Sequence, residues 1–138
     1  MYSKTKVVTL GSAVTLTGSD AGVGSPGTFD VRNNRELSLL VDWTKGTATA
    51  LELLVESSPV DSGDDWYPHP LASDAGASFS SGVATQTVGT LRYSITATGR
   101  HHLPVRLFGA HRIRVKAKET GTVGGTLTVK ASAVQEAS

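Results

Sequence analysis

Apolar residues at every second position, in run after run, constrain this chain more than any other feature. Leu37, Leu39, Val41 and Trp43 alternate with Ser38, Leu40 and Asp42, and Leu51, Leu53 and Val55 alternate with Glu52, Leu54 and Glu56. The pattern returns at Leu91, Tyr93, Ile95 and Ala97, at Leu103, Val105 and Leu107, at Ile113, Val115 and Ala117, and at Leu127, Val129, Ala131 and Ala133. Side chains on a strand point to alternate faces, so a period of two gives each segment one dry face and one wet face. Weaker strands are expected at residues 7–10, 14–17, 28–31 and 79–88, and no segment carries a convincing helical period. Glycine, asparagine and serine clusters mark turns at 18–27, 33–34, 46, 57–63, 99 and 121–125. Short antiparallel strands with one buried face each imply two packed sheets or a closed barrel. Several connections are too long for a meander, which favours an all-β, antiparallel, jelly-roll-like two-sheet sandwich of about eight to ten strands.

The 138 residues are expected to form a single domain over 7–134, with an N-terminal arm at 1–6 and a C-terminal tail at 135–138. Composition narrows the function classes. With 38% hydrophobic residues, 18% charged residues and a net charge of +1, the chain is too apolar for disorder and too balanced for a wholesale nucleic-acid binder. Cysteine is absent, which excludes disulfides, thiolate zinc sites, iron–sulfur clusters and cysteine nucleophiles. No apolar run approaches the roughly 20 residues that span a bilayer, and the start, Met1 to Lys6, has no secretory hydrophobic region. A soluble protein with no membrane partner is the expectation.

Charge is unevenly distributed. Between Glu36 and Asp74 stand eight acids and one base, and between Arg92 and Lys118 stand seven bases and no acid. Such a split can place opposite patches on different edges, so that copies meet head to tail or the basic edge meets an acidic partner. Alternatively, acidic and basic strands neighbour each other in one sheet and neutralise locally. Both arrangements satisfy the sequence.

Motifs that carry catalysis are weak. Gly22-Val23-Gly24-Ser25-Pro26-Gly27 matches a dinucleotide-binding string, but Thr28-Phe29-Asp30-Val31 after it reads as a strand, not the helix that would hold a pyrophosphate. Gly76-Ala77-Ser78-Phe79-Ser80 lacks the closing glycine and the strand–turn–helix setting of a serine nucleophile. Asp64-Asp65 lies in a turn region, and carboxylates there more often cap turns than transfer protons. His69, His101, His102 and His111 have no metal-ligand spacing, and Asp61, Asp64 and Asp65 lack the register of an EF-hand, although a surface calcium loop stays open. No enzymatic role, catalytic residue, resident metal or cofactor is expected. Arg112, Arg114, Lys116 and Lys118 share one face of one strand, yet no aromatic is interleaved to stack bases, so nucleic acid is not the expected partner. Trp66 and Tyr67 are either a sugar-stacking platform, as in a carbohydrate-binding module, or an apolar lid on the sandwich end.

Within 36–68, the run Leu39-Leu40-Val41-Asp42-Trp43-Thr44-Lys45-Gly46 leads to Leu51-Glu52-Leu53-Leu54-Val55-Glu56-Ser57-Ser58 and, after a loop, to Asp61-Ser62-Gly63-Asp64-Asp65-Trp66-Tyr67-Pro68. With Tyr93-Ser94-Ile95 and His111-Arg112-Ile113-Arg114-Val115-Lys116-Ala117, this resembles β-sandwich virion proteins of tailed bacteriophages, most of all capsid decoration (cement) proteins. The resemblance covers about 80 residues and is one of style rather than of a diagnostic motif. It implies a non-enzymatic virion protein on the outer capsid surface that forms a homotrimer and stabilises the shell by binding across neighbouring copies of the major capsid protein. A tail or neck component is the alternative within the same class. Tyr2, Lys4, Lys6, Arg106, Arg112, Arg114 and Lys116 are then the candidate partner-binding residues.

Overall fold

The computed structural model describes residues 3–24, 27–72, 78–85 and 88–136, and every regular element among them is a β-strand. In chain order these are β1 (Ser3–Thr15), β2 (Ala21–Gly22), β3 (Thr28–Asp30), β4 (Asn34–Thr44), β5 (Ala48–Ser58), β6 (Tyr67–Pro68) and β7 (Pro70–Ala72). They continue as β8 (Ser78–Ser80), β9 (Val83–Thr85), β10 (Val88–Thr90), β11 (Arg92–Ile95), β12 (Gly99–Val105), β13 (Arg112–Gly121) and β14 (Thr126–Glu136). One sheet has the order β1-β14-β4-β12. The other has the order β11-β5-β13-β2, with β3 also on β13 and β6 also on β5. All the ladders are antiparallel.

Taking β2 and β3 as one interrupted strand, the chain changes sheet at every major step except β5 to β11. Those crossings generate two interlocked Greek keys, which is the jelly-roll arrangement. The alternation explains the layering: Leu37, Leu39, Val41 and Trp43 of β4 are at most 3% exposed and face a core that Leu51, Leu53, Val55, Ile113, Val115 and Ala117 fill from the opposite sheet. Burying each of the larger aliphatic side chains contributes about 1.5–3 kcal/mol.

The expected strands at 7–10 and 14–17 merge into one strand, β1, which ends at Thr15. Its register against β14 slips between Thr9 and Gly11 and again between Gly11 and Val14, and Ala13 takes φ 48°. These irregularities break the period of two, so the sequence reads as two segments. Residues 3–6, expected as an arm, begin β1 and pair with 133–136, and Gln135, expected in the tail, pairs with Lys4. The expected strand at 79–88 is divided. β8 and β9 form a hairpin around Ser81 (φ 52°) and Gly82 (φ 77°), the two left-handed positions of a type I′ turn, and β10 pairs with β7.

The glycine-rich string at 22–27 lies in the break between β2 and β3. Val23 turns into the core at 1% exposure while its N–H donates to the Val115 carbonyl at 3.0 Å. Gly24 has φ 83°, and a Cβ there would lie 1.7 Å from the Leu10 carbonyl oxygen. The glycine therefore serves close packing of two strands, and a strand rather than a helix follows it. Ser25 and Pro26 lie outside the described residues.

Candidate functional site

The outer face of the β11-β5-β13 sheet carries the charges that the sequence divides into acidic and basic segments. On β13, inward Ile113, Val115 and Ala117 alternate with outward Arg112, Arg114, Lys116 and Lys118, and the ladder sets Arg114 opposite Glu56 and Lys118 opposite Glu52 of β5. Arg114 Nε donates to Glu56 Oε1 at 2.8 Å, Lys116 Nζ lies 3.3 Å from the same oxygen, and Lys118 Nζ lies 3.6 Å from Glu52 Oε2. Arg92 grips Asp20 with both terminal nitrogens, at 3.2 and 3.0 Å, and this hydrogen-bonded guanidinium holds the Asp20 carboxyl below its usual range against the opposing effect of burial. Acid and base thus neutralise locally across one sheet.

Trp66 caps the end of that network. The guanidinium carbons of Arg112 and Arg114 lie 4.6 and 4.3 Å from its ring centroid. Arg112 is held further by the carbonyls of Val60 at 2.7 Å and Gly63 at 3.1 Å. Stacked cations of this kind contribute about 0.5–1 kcal/mol each. The ring is therefore stacked on the chain's own arginines, over the outer face of β13.

Three surfaces or clusters remain. The first is the end of the sandwich carrying the β5–β6 and β12–β13 connections. His69 is fully buried there, and its Nε2 hydrogen-bonds the Arg106 carbonyl, while Nδ1 is buried with no partner among the described residues. Burial pushes this imidazole below its ordinary pKa, against the smaller opposite pull of the Arg106 carbonyl, and keeps it neutral. Above it, Phe108 is 50% exposed, with its ring centroid 5.8 Å from that of His69 and 6.0 Å from the Arg106 guanidinium. Tyr67 and Val60, at 55% and 39% exposure, add apolar surface at this end.

At the opposite end, Glu119 is 1% exposed on the inward face of β13. Its Oε2 accepts from Trp43 Nε1 at 2.9 Å, and its Oε1 accepts from the backbone N–H groups of Gly124 at 2.9 Å and Gly125 at 2.8 Å. Burial raises the carboxyl's pKa, but the two amides and the indole N–H outweigh it and hold the group below its ordinary value. The cluster fastens the β13–β14 turn to the end of β4. A Cβ on Gly125 would lie 2.2 Å from Glu119 Oε2, so the site requires glycine.

The third is the outer face of the β1-β14-β4-β12 sheet, where short side chains dominate. Val7, Ser132, Ser38 and Pro104 form one row across all four strands, and Thr9, Lys130, Leu40 and His102 form the next. Val7 is 54% exposed, and the ion pair identified on this face, Arg100 to Asp42 at 3.5 Å, is largely solvated. A shallow groove of about 380 Å³ runs between Leu40, Asp42, Arg100, His102, Thr128 and Lys130.

The sequence-derived partner residues therefore occupy different settings. Arg112, Arg114 and Lys116 are engaged within the chain, Lys6 lies with Nζ 5.5 Å above the Phe29 ring, and Arg106 is exposed beside Phe108. Tyr2 and the Lys4 side chain lie outside the described residues, and Tyr67 is exposed beside the covered Trp66. His101 and His102 occupy successive positions of β12, and His101 Nε2 lies 2.8 Å from the Ala97 carbonyl. No group of three or more potential metal ligands stands together among the described residues. Glu119 and Phe108 escaped the sequence reading. An acid in phase with inward Ile113, Val115 and Ala117 was the available signal for Glu119. For Phe108 it was an aromatic before glycine in a turn.

No family model matches this sequence, and no curated protein matches it. Among solved structures, the fold is similar to the crystal structure of the SPBc2 prophage-derived protein YomS, with a TM-score of 0.58 and 17% identity over 98% of this chain and 96% of that one.

Proposed function

We propose that this chain is a bacteriophage structural protein that decorates the outer surface of a capsid as a homotrimer, binding across neighbouring shell subunits without catalytic turnover. The observation that carries this reading is the likeness of the whole jelly roll, end to end, to a prophage-derived protein. Face chemistry supports a specific docking surface. On the β1-β14-β4-β12 sheet, Val7, Thr9, Ser38 and Ser132 form a patch of short side chains beside the groove, and ordering them on contact costs little rotamer entropy. The opposite sheet presents long charged side chains already committed to partners within the chain. Each decorating copy adds modest contacts, and many copies sum to a stabilised shell.

The test is re-binding to capsids stripped of this protein, read by co-sedimentation and by the temperature at which shells rupture. Val7→Glu and, separately, Ser132→Arg are expected to abolish binding with the circular dichroism spectrum retained. Arg112→Glu with Arg114→Glu is expected to leave binding in place. Wild-type protein that ignores stripped capsids but binds purified tails would move the role to a tail or neck component. Binding to neither would overturn the structural reading.

A further inference from the structure

Leu107 to Ala110 form a tight turn closed by the Ala110 N–H to Leu107 carbonyl bond at 2.9 Å. Its central residues are Phe108 at φ 47° and Gly109 at φ 75°. A turn with both central residues left-handed favours asparagine, aspartate or glycine at its first central position. A bulky aromatic there is a conformational outlier, and such outliers gather at functional sites. Half of Phe108 faces solvent, so burial against His69 offsets only part of this strain. Beside it, Arg106 is exposed and pairs with no carboxylate among the described residues. The same end of the sandwich carries the complementary chemistry. Val60 and Tyr67 are exposed, the neighbouring Asp65 carboxylate holds the Tyr67 hydroxyl above its ordinary pKa, and Asp64 and Asp65 are exposed and pair with no cation among the described residues. Within one copy, the cationic aromatic knob and the acidic aromatic ledge leave each other's charges unsatisfied.

We infer that they meet between copies: the Arg106–Phe108 turn of one chain docks on the 60–67 segment of a second copy. Phe108 packs against Tyr67 and Val60, and Arg106 pairs with Asp64 and Asp65. This contact rests on the self-association that the capsid reading expects, and it specifies the surfaces that make it. An apolar anchor within an opposite-charge rim is the usual composition of an energetic hot spot.

Light scattering of the purified full chain over a concentration series tests the contact. Wild type is expected to associate, with weaker association at high salt. Phe108→Asn and Arg106→Glu are each expected to raise the dissociation constant by about tenfold or more. Arg106→Glu combined with Asp64→Lys and Asp65→Lys is expected to restore association by exchanging the charges. At a dilution where all variants are monomeric, Phe108→Asn is expected to unfold at a higher urea concentration than wild type, because asparagine accepts the left-handed turn. A wild-type monomer at about 100 μM would overturn the contact and leave capsid binding to its own test. An oligomer insensitive to both single substitutions, or unrescued by the charge exchange, would overturn the contact while leaving self-association standing.

Discussion

Replacing Glu119 examines the fold at its most concentrated polar site. The carboxylate satisfies three donors, two of them buried: Trp43 Nε1 and the Gly125 amide, together with the part-buried amide of Gly124. In Glu119→Ala each donor loses its acceptor, at about 1–3 kcal/mol per unsatisfied group, offset in part because a buried charge is also removed. A net loss of about 3–4 kcal/mol is expected, a large share of the 5–15 kcal/mol typical of a domain. At this chain length that lowers the melting temperature by roughly 10–15 °C. Glu119→Gln keeps one acceptor oxygen for the glycine amides but turns an NH2 group toward the indole N–H, so about 2 kcal/mol is expected.

The pH dependence has a definite sign. The folded carboxyl titrates below its ordinary value of 4.5, so its contribution is complete above that pH and is lost as pH falls through the lower folded value. Urea unfolding followed by tryptophan fluorescence, at fixed protein concentration, measures both effects. The gap between wild type and Glu119→Gln should be constant near neutrality and close in acid. A gap below about 0.5 kcal/mol, or one unchanged down to about pH 3, would refute the reasoning.

Other substitutions probe separate parts of the molecule. His69 is held neutral by burial, so the unfolded chain binds its proton first, and wild type should lose stability as pH falls below the ordinary value of 6.5. In His69→Gln that component of the slope should vanish, as read from melting temperatures between about pH 7.5 and 5. Gly24→Ala would set a Cβ 1.7 Å from the Leu10 carbonyl at φ 83°, and chemical denaturation should show a loss above about 2 kcal/mol. Glu56→Gln keeps an amide oxygen but removes the negative charge that Arg114 and Lys116 share, and the partly exposed setting of the two cations limits the cost to about 0.5–1.5 kcal/mol, diminishing with added salt.

Much of the sandwich was legible because a period of two is a local property. Leu37 to Trp43, Leu51 to Val55 and Ile113 to Ala117 each declare their dry face with no knowledge of their neighbours, and Leu37, Leu39, Val41, Trp43, Leu51, Leu53, Val55, Ile113, Val115 and Ala117 are all buried. Trp43 could be assigned to the interior in the same way. β1 was read in two pieces because its bulges interrupt the period, and residues 3–6 resembled a free arm because their partners are 133–136, at the far end of the chain. The basic stripe was visible, but its neutralisation was not: whether Arg114 faces a partner or Glu56 depends on which strand lies beside β13.

By itself, then, the sequence determined that this chain folds as layered β-strands and which side of each strand is dry, because alternation along a strand is encoded residue by residue. Only the tertiary structure decided that β13 lies against β5, that a buried glutamate meets an indole 76 positions away, and that Phe108 stands strained and exposed beside an arginine that pairs with no carboxylate among the described residues. Those outcomes depend on how distant segments close around one another, and chain closure couples residues through space that no local pattern relates.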